Sequence, residues 1–249
     1  MIRTLLIITG ASLVLCAAAF AGASAIGGQD LARHGWTWTF HDSDEDRTVR
    51  FERGDDSPPV TRNLAWTGGD RLQVEIPGDV VYIQGETASV VVTGQSSMVD
   101  RVRLEDGRLI YDEDQGVDHV VFGWNIHDRL KVTVTAPSVT RFDVETSADL
   151  TIRDYDQPEL FLALSGSGDV EAEGRTRSVT IEVSGSGDAD LARLETVDAR
   201  LDISGSGDVR VGPTGSARVE ISGSGDARLT RRPAQLEQDL SGSGDVDQY

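Results

Sequence analysis

From Leu160 onward, apolar residues fall at every second position. Leu160, Leu162 and Leu164 are followed by Val179, Ile181 and Val183, then Ala199, Leu201 and Ile203, then Ala217, Val219 and Ile221, with mostly polar residues between. A period of two marks a strand that buries one face. Each run ends at the same string, Ser-Gly-Ser-Gly-Asp, and a second alternating run follows it. Val170 and Ala172, Ala189 and Leu191, Val209 and Val211, and Ala227 and Leu229 are its apolar members. The predicted unit is strand, Gly-rich corner, strand and a variable return.

The corners start at Ser165, Ser184, Ser204, Ser222 and Ser241, at intervals of 19, 20, 18 and 19 residues. A near-constant period this short belongs to a solenoid, in which each repeat is one coil laid on the last. At about 3.3 Å per residue the perimeter is roughly 60 Å, too narrow for a hollow coil. Helical solenoid repeats need roughly 33 residues or more, and Pro213 and Pro233 sit in two of the returns. The fold class expected is all-β, a parallel β-helix (β-solenoid) with coils of about 19 residues. A worn coil precedes the first clear one: Phe142, Val144 and Thr146 lead into Ser147-Ala148-Asp149, 18 residues before Ser165. The solenoid is therefore expected over residues 137–249. In the last copy Gln238 takes an inward position.

The corner glycines are Gly166, Gly168, Gly185, Gly187, Gly205, Gly207, Gly223, Gly225, Gly242 and Gly244. They are expected to serve structure, by taking backbone angles closed to other residues and by letting coils approach at the strand spacing of about 4.8 Å. Ser and Asp at the bend are expected to bond local backbone groups, with serine hydroxyls bonding along the stack.

Ahead of the repeats, residues 64–136 carry strand-like runs at Leu72–Ile76, Val80–Ile83, Ala88–Thr93, Val99–Leu104, Leu109–Tyr111 and Leu130–Thr135. Turn signals separate them, with Asp106-Gly107 a hairpin signal. This stretch is expected to be a β-rich N-terminal section continuous with the solenoid, capping its end. Residues 26–63 are acidic and read as a partly ordered linker. Trp36, Trp38 and Phe40 stand out in it, either as a strand docking its aromatic side or as a platform for sugar rings. Residues 1–25 read as a signal peptide: Arg3, an apolar core from Leu5 to Phe20, and Ala23-Ser24-Ala25 at a small-residue cleavage site. A retained membrane anchor is the competing reading.

Charge narrows the partners. The chain carries 42 acidic and 23 basic residues, for a net charge of −19. Such a protein is repelled by nucleic acid and by anionic membrane surfaces, so no nucleic-acid partner is expected and membrane contact only through a retained leader. Cys16, the only cysteine, lies in that leader, and the rest of the chain has no disulfide. Lys131 is the only lysine, and His34, His41, His119 and His127 lack metal-ligand spacing. Returns this short leave no loops to build a catalytic cleft, and no Gly-rich loop opens a helix to hold phosphate. Arg175, Arg177, Arg228, Arg231 and Arg232 are expected to form cross-coil ion pairs on the solvent face, with Glu171 and Asp190 near them.

The repeated corners, preceded by Leu130-Lys131-Val132-Thr133-Val134-Thr135-Ala136-Pro137, resemble the bacterial head GIN domain family. That family is described as an autotransporter-adhesin head and as a domain of unknown function. The resemblance covers residues 64 to 249. It implies an exported β-solenoid and no catalytic residues.

Stacking in register would line up Asp169, Asp188, Asp208, Asp226 and Asp245 about 4.8 Å apart. Adjacent carboxylates there repel by about 0.9 kcal/mol in a water-like dielectric and about 3.5 at an effective value of 20. A turn hydrogen bond to each returns about 1 to 1.5 kcal/mol. An exposed row is tolerable without metal; a partly buried one requires cations. Calcium wants roughly six to eight oxygens, and one carboxylate per coil supplies few, so turn capping leads, weak cation binding or recognition of a polar ligand follows, and no cofactor is expected. The expectation is an exported, non-enzymatic β-solenoid of the periplasm or cell envelope. It would serve as a binding, adhesion or structural module, with an envelope protein or polysaccharide as partner. The alternative is a carbohydrate-active or calcium-dependent β-helix protein acting on envelope polysaccharide.

Overall fold

The computed structural model describes residues 36–41, 46–53, 58–112, 117–122 and 130–248, and the chain divides into two units. The expected leader, residues 1–25, lies outside the described residues. In chain order the first strands are β1 (Trp36–His41), β2 (Asp46–Arg53), β3 (Val60–Leu64), β4 (Arg71–Glu75), β5 (Asp79–Gln84), β6 (Ser89–Gly94), β7 (Val102–Glu105), β8 (Arg108–Tyr111) and β9 (Val117–Phe122). Next come β10 (Lys131–Ala136), β11 (Arg141–Val144), β12 (Asp149–Leu164), β13 (Val170–Val183), β14 (Ala189–Thr196) and β15 (Asp198–Ile203). The last are β16 (Val209–Pro213), β17 (Ser216–Ile221), β18 (Ala227–Leu229), β19 (Gln235–Leu240) and β20 (Val246–Gln248).

The smaller unit is a three-stranded sheet. β1 and β2 run antiparallel, with Trp36 opposite Phe51 and Trp38 opposite Val49; β9 lies parallel to β2. The alternating run Trp36-x-Trp38-x-Phe40, which stands out within the acidic stretch 26–63, thus lies on a paired strand.

The larger unit is the solenoid, and every rung pairs in parallel with the next. Ahead of the corner, β11, the second half of β12, the second half of β13, β15, β17 and β19 lie side by side. After the corner, the starts of β12 and β13 are followed by β14, β16, β18 and β20. Strands β12 and β13 are long because they run on around the return bend. Their pairing is irregular between Ile152 and Tyr155 and between Glu171 and Glu173.

The coils begin earlier than residue 137. β4 pairs in parallel with β11, and β5 with the start of β12, so Leu72, Val74 and Ile76, the bend at Pro77-Gly78-Asp79, and Val80 and Tyr82 form one further rung. Thr146 Oγ1 donates to Ile76 O at 2.8 Å across this junction. Strand β10 lies parallel to β5, and the antiparallel strands β6 and β3 then close this side of the sheet. On the other side β8 lies parallel to β4 and turns back into β7 through Asp106 and Gly107, whose φ angles of 48° and 81° suit a two-residue hairpin.

Inward side chains stack in columns. Leu72, Phe142, Leu162, Ile181, Leu201 and Val219 form one, and Val80, Leu150, Val170, Ala189, Val209 and Ala227 another; all are buried. Each large aliphatic side chain buried this way contributes roughly 1.5–3 kcal/mol. Tyr82, Phe142 and Tyr155 fill the wider early rungs, with edge-on ring contacts at 4.9 and 6.2 Å. Their polar tips are satisfied: Tyr82 Oη donates to Ala136 O at 2.8 Å and Tyr155 Oη to Glu159 O at 2.6 Å. Desolvation pushes the Tyr82 phenol up to about 12 and Tyr155 higher still.

The corners need glycine for one of the two reasons expected. Positive φ occurs at Gly78, Gly107 and Gly174, not at the Ser-Gly-Ser-Gly-Asp glycines. Close approach is what excludes a side chain. A Cβ on Gly205 would run into the carbonyl oxygen of Gly185 one rung below, closer than the 3.0 Å that Cβ atoms keep from backbone. Gly185 stands in the same relation to Gly166 O, and Gly223 to Gly205 O.

Candidate binding surfaces on the solenoid

The corner edge is the surface the repeat makes most regular. Its aspartates are not local turn caps. Asp169 N–H donates to Asp149 Oδ1 at 3.0 Å, Asp188 to Asp169 at 2.9 Å, Asp208 to Asp188 at 2.8 Å, Asp226 to Asp208 at 2.8 Å and Asp245 to Asp226 at 2.9 Å. Each carboxylate from Asp149 to Asp226 thus takes the amide of the aspartate one rung on, while that aspartate's carbonyl accepts an amide from the rung before: Val170 N–H donates to Asp188 O at 2.8 Å. Asp169, Asp188, Asp208 and Asp245 are exposed, so their repulsion is of the weak, water-like size and an amide hydrogen bond offsets it. Asp149, from the worn coil, belongs to this ladder as its first acceptor. Among the described residues no three His, Cys, Asp or Glu side chains converge to hold a metal ion.

The serines behave differently from the expected hydroxyl ladder. Ser165, Ser184, Ser204, Ser222 and Ser241 are exposed, and among them Ser204 Oγ makes a long bond of 3.5 Å to Val183 O. The amides do the stacking instead: Ser186 N–H donates to Gly166 O and Ser206 N–H to Gly185 O, at 3.0 and 2.9 Å.

The face ahead of the corner carries two outward columns. Arg71, Arg141, Phe161, Thr180, Arg200, Arg218 and Glu237 form one; Gln73, Asp143, Ala163, Glu182, Asp202, Glu220 and Asp239 form its neighbour. Basic and acidic residues side by side pair within and across the rungs. Arg218 bonds Glu220 of its own strand at 2.7 Å and Glu237 of the next rung at 3.1 Å, and Arg200 reaches Glu220 across the rungs at 3.2 Å. The Arg218 hydrogen bond holds Glu220 below the ordinary carboxylate range. Arg71 bonds the buried Asp143 at 2.7 Å, and Arg141 lies 3.8 Å over the Phe161 ring.

Other pairs cross the rungs elsewhere: Arg175 with Asp156, Arg193 with Glu171 at 2.8 Å, and Arg210 with Asp190 at 2.8 Å. Of the arginines expected to form such pairs, Arg175 does so, whereas Arg228 Nε is buried without a partner. Glu171 and Asp190 are engaged as expected, but by Arg193 and Arg210. Of the histidines, His41 lies on β1 and His119 on β9; His34 and His127 fall outside the described residues.

A shallow open groove of about 440 Å³ crosses β13, β15, β17 and β19. Ser178, Asp198, Ser216 and Gln235 edge one side, Thr180, Arg200, Arg218 and Glu237 the other, with positions 179, 199, 217 and 236 between them. Asp198 is fixed by Ser216, whose Oγ and N–H both donate to its Oδ1, at 2.6 and 2.9 Å. Those bonds lower its affinity for a proton, the hydroxyl bond most. Sequence reading missed this groove. Its signal is the return end of the aligned repeats, where Ser178, Asp198, Ser216 and Gln235 are all small or polar.

A family model described as "Putative auto-transporter adhesin, head GIN domain" matches residues 70–233, most of the solenoid. The chain belongs to the head GIN domain family. A solved structure of a "putative adhesin" from Bacteroides fragilis NCTC 9343 is similar at 16% identity with a TM-score of 0.62, covering 80% of this chain and 100% of that one. At that identity the likeness shows the fold. A "putative lipid binding protein" from Parabacteroides distasonis ATCC 8503 matches at 18% identity and a TM-score of 0.46, over 80% of this chain and 99% of that one. A "putative adhesin" from Parabacteroides merdae ATCC 43184 matches at 14% and 0.44, over 80% and 99%. The last two superimpose too loosely to carry an argument. None of these descriptions names an enzyme. No curated protein matches the chain. The head GIN assignment supports an adhesin-like module.

Proposed function

We propose that this head GIN protein is exported and acts as a non-enzymatic binding module of the cell envelope. It meets its target with the flat strand face ahead of the corners. The observation that carries this reading is the face itself. Outward columns repeat rung after rung, their charges are tied to one another, and a shallow groove with polar edges lies open along them. Flat, periodic surfaces suit extended targets, whereas catalysis asks for a closed site with groups held for proton transfer. The leader pattern of Arg3, Leu5–Phe20 and Ala23-Ser24-Ala25 supports export to the periplasm or envelope, and the family description supports adhesion.

Two measurements test it together. Fractionation of the native host with N-terminal sequencing is expected to find the protein in the envelope, beginning near residue 26. Fluorescently labelled mature protein is expected to bind isolated envelopes saturably, without changing their polysaccharide. A cytoplasmic location or non-saturable binding overturns the proposal, and release of sugar fragments transfers support to a carbohydrate-active protein.

A further inference from the structure

We infer that the groove across β13, β15, β17 and β19 is the binding site of the envelope module, and that its ligand is a neutral glycan chain lying along the stack. This deepens the adhesin reading and rests on it. The groove spans four rungs, or roughly 14 Å at the strand spacing, and its volume of about 440 Å³ falls among small-ligand clefts of about 300–1,000 Å³. Its long axis crosses the strands, so a ligand within it meets the same strand positions again at each rung. Extended, repeating molecules fit such a site better than compact ones.

The lining selects the chemistry. The Ser178, Thr180 and Ser216 hydroxyls and the Gln235 amide both donate and accept, Arg200 and Arg218 only donate, and the carboxylates of Asp198 and Glu237 accept. Sugar hydroxyls, which do both, match that mixture. No aromatic side chain lines the groove, and of its apolar members Val179, Ala199 and Ala217 are buried and Leu236 is half-buried, so a ligand meets mainly the two polar edges, which argues against a lipid or an apolar peptide. Two arginines against two carboxylates leave the lining balanced. A polyanion would have to displace Glu220 and Glu237 from Arg200 and Arg218, in the field of a chain of net charge −19. A polycation would gather at the exposed aspartate edge instead. The neutral polyol remains.

The network is also ordered before binding. Glu220 tethers both guanidinium groups and Ser216 tethers Asp198, so less side-chain freedom is lost when a ligand arrives.

The test uses the mature full chain in titration calorimetry against soluble dextran, mannan and β-glucan oligosaccharides, with polygalacturonate as the polyanion. Binding of at least one neutral glycan and none of polygalacturonate is expected. Thr180→Trp and Gln235→Trp, which fill the groove from opposite ends, and the Arg200→Ala/Arg218→Ala double variant are each expected to weaken binding tenfold or more. Their melting temperatures should stay within 2–3 °C of the parent. Asp188→Asn on the corner edge should bind as the parent does. The inference is overturned if envelopes are bound but no neutral glycan is, or if the groove variants bind as well as the parent. Loss of envelope binding by the parent overturns the adhesin reading itself.

Discussion

Asp188 sits mid-ladder, taking the Asp208 amide at 2.8 Å and giving its own amide to Asp169 at 2.9 Å. Alanine at 188 strands the Asp208 amide and removes one carboxylate from the row. A hydrogen bond to a charged group is worth about 1.5–3 kcal/mol, and the exposure of Asp188 places it at the low end. Against that, two carboxylate neighbours at about 4.8 Å each repel by about 0.9 kcal/mol unscreened, and by about 0.5 where the Debye length is about 10 Å. Relief of about 1 kcal/mol therefore offsets only part of the loss, and Asp188→Ala should be destabilised by about 0.5–1.5 kcal/mol. Asp188→Asn keeps an acceptor oxygen, gains the same relief, and should lie near the parent. At roughly 2–4 °C per kcal/mol for a chain of this size, alanine should lower Tm by about 1–6 °C and asparagine by less than 2 °C in calorimetry at 0.1 M salt. In 1 M salt the Debye length falls to about 3 Å, the repulsion disappears, and both variants should drop further below the parent. If Ala and Asn melt together at both salt concentrations, the carboxylate is not the acceptor that holds the rungs.

Gly205→Val should destabilise by more than about 3 kcal/mol, since the new Cβ meets backbone of the rung below, while Gly69→Ala, with open space at its Cβ, should melt with the parent; comparable melts would refute the close-stacking account. The Tyr82 phenol, pushed up by burial to about 12, contributes stability that is whole below the free phenol value near 10 and is lost as pH rises through about 12. Stability followed by denaturant melts should fall over that window, and less steeply in Tyr82→Phe. Millimolar calcium should leave Tm unchanged, because one oxygen of each ladder carboxylate up to Asp226 already accepts an amide; a rise of several degrees would restore the cation row.

The rungs were legible because Ser-Gly-Ser-Gly-Asp recurs and its flanks alternate. Pro77-Gly78-Asp79 turns the same bend, yet its single occurrence, cut off from the next rung by residues 85–136, hid it. The corner glycines were found by position, but their cause needed the carbonyl of the rung below. The aspartate ladder was legible as a row and not as a bond, since its acceptor and donor are 18 to 20 residues apart in sequence. The groove lies where the repeats vary most. Ser178, Asp198, Ser216 and Gln235 share no single residue type, only the same register position on successive rungs.

Nitroxide pairs read by pulsed dipolar spectroscopy test the stacking most directly. Thr151, Glu171, Asp190, Arg210, Arg228 and Asp247 occupy one column on successive rungs. With one label at 151, the separation should grow by about 4.8 Å for each rung, reaching about 24 Å at 247. Separations that fail to rise in step with rung number would contradict the stack.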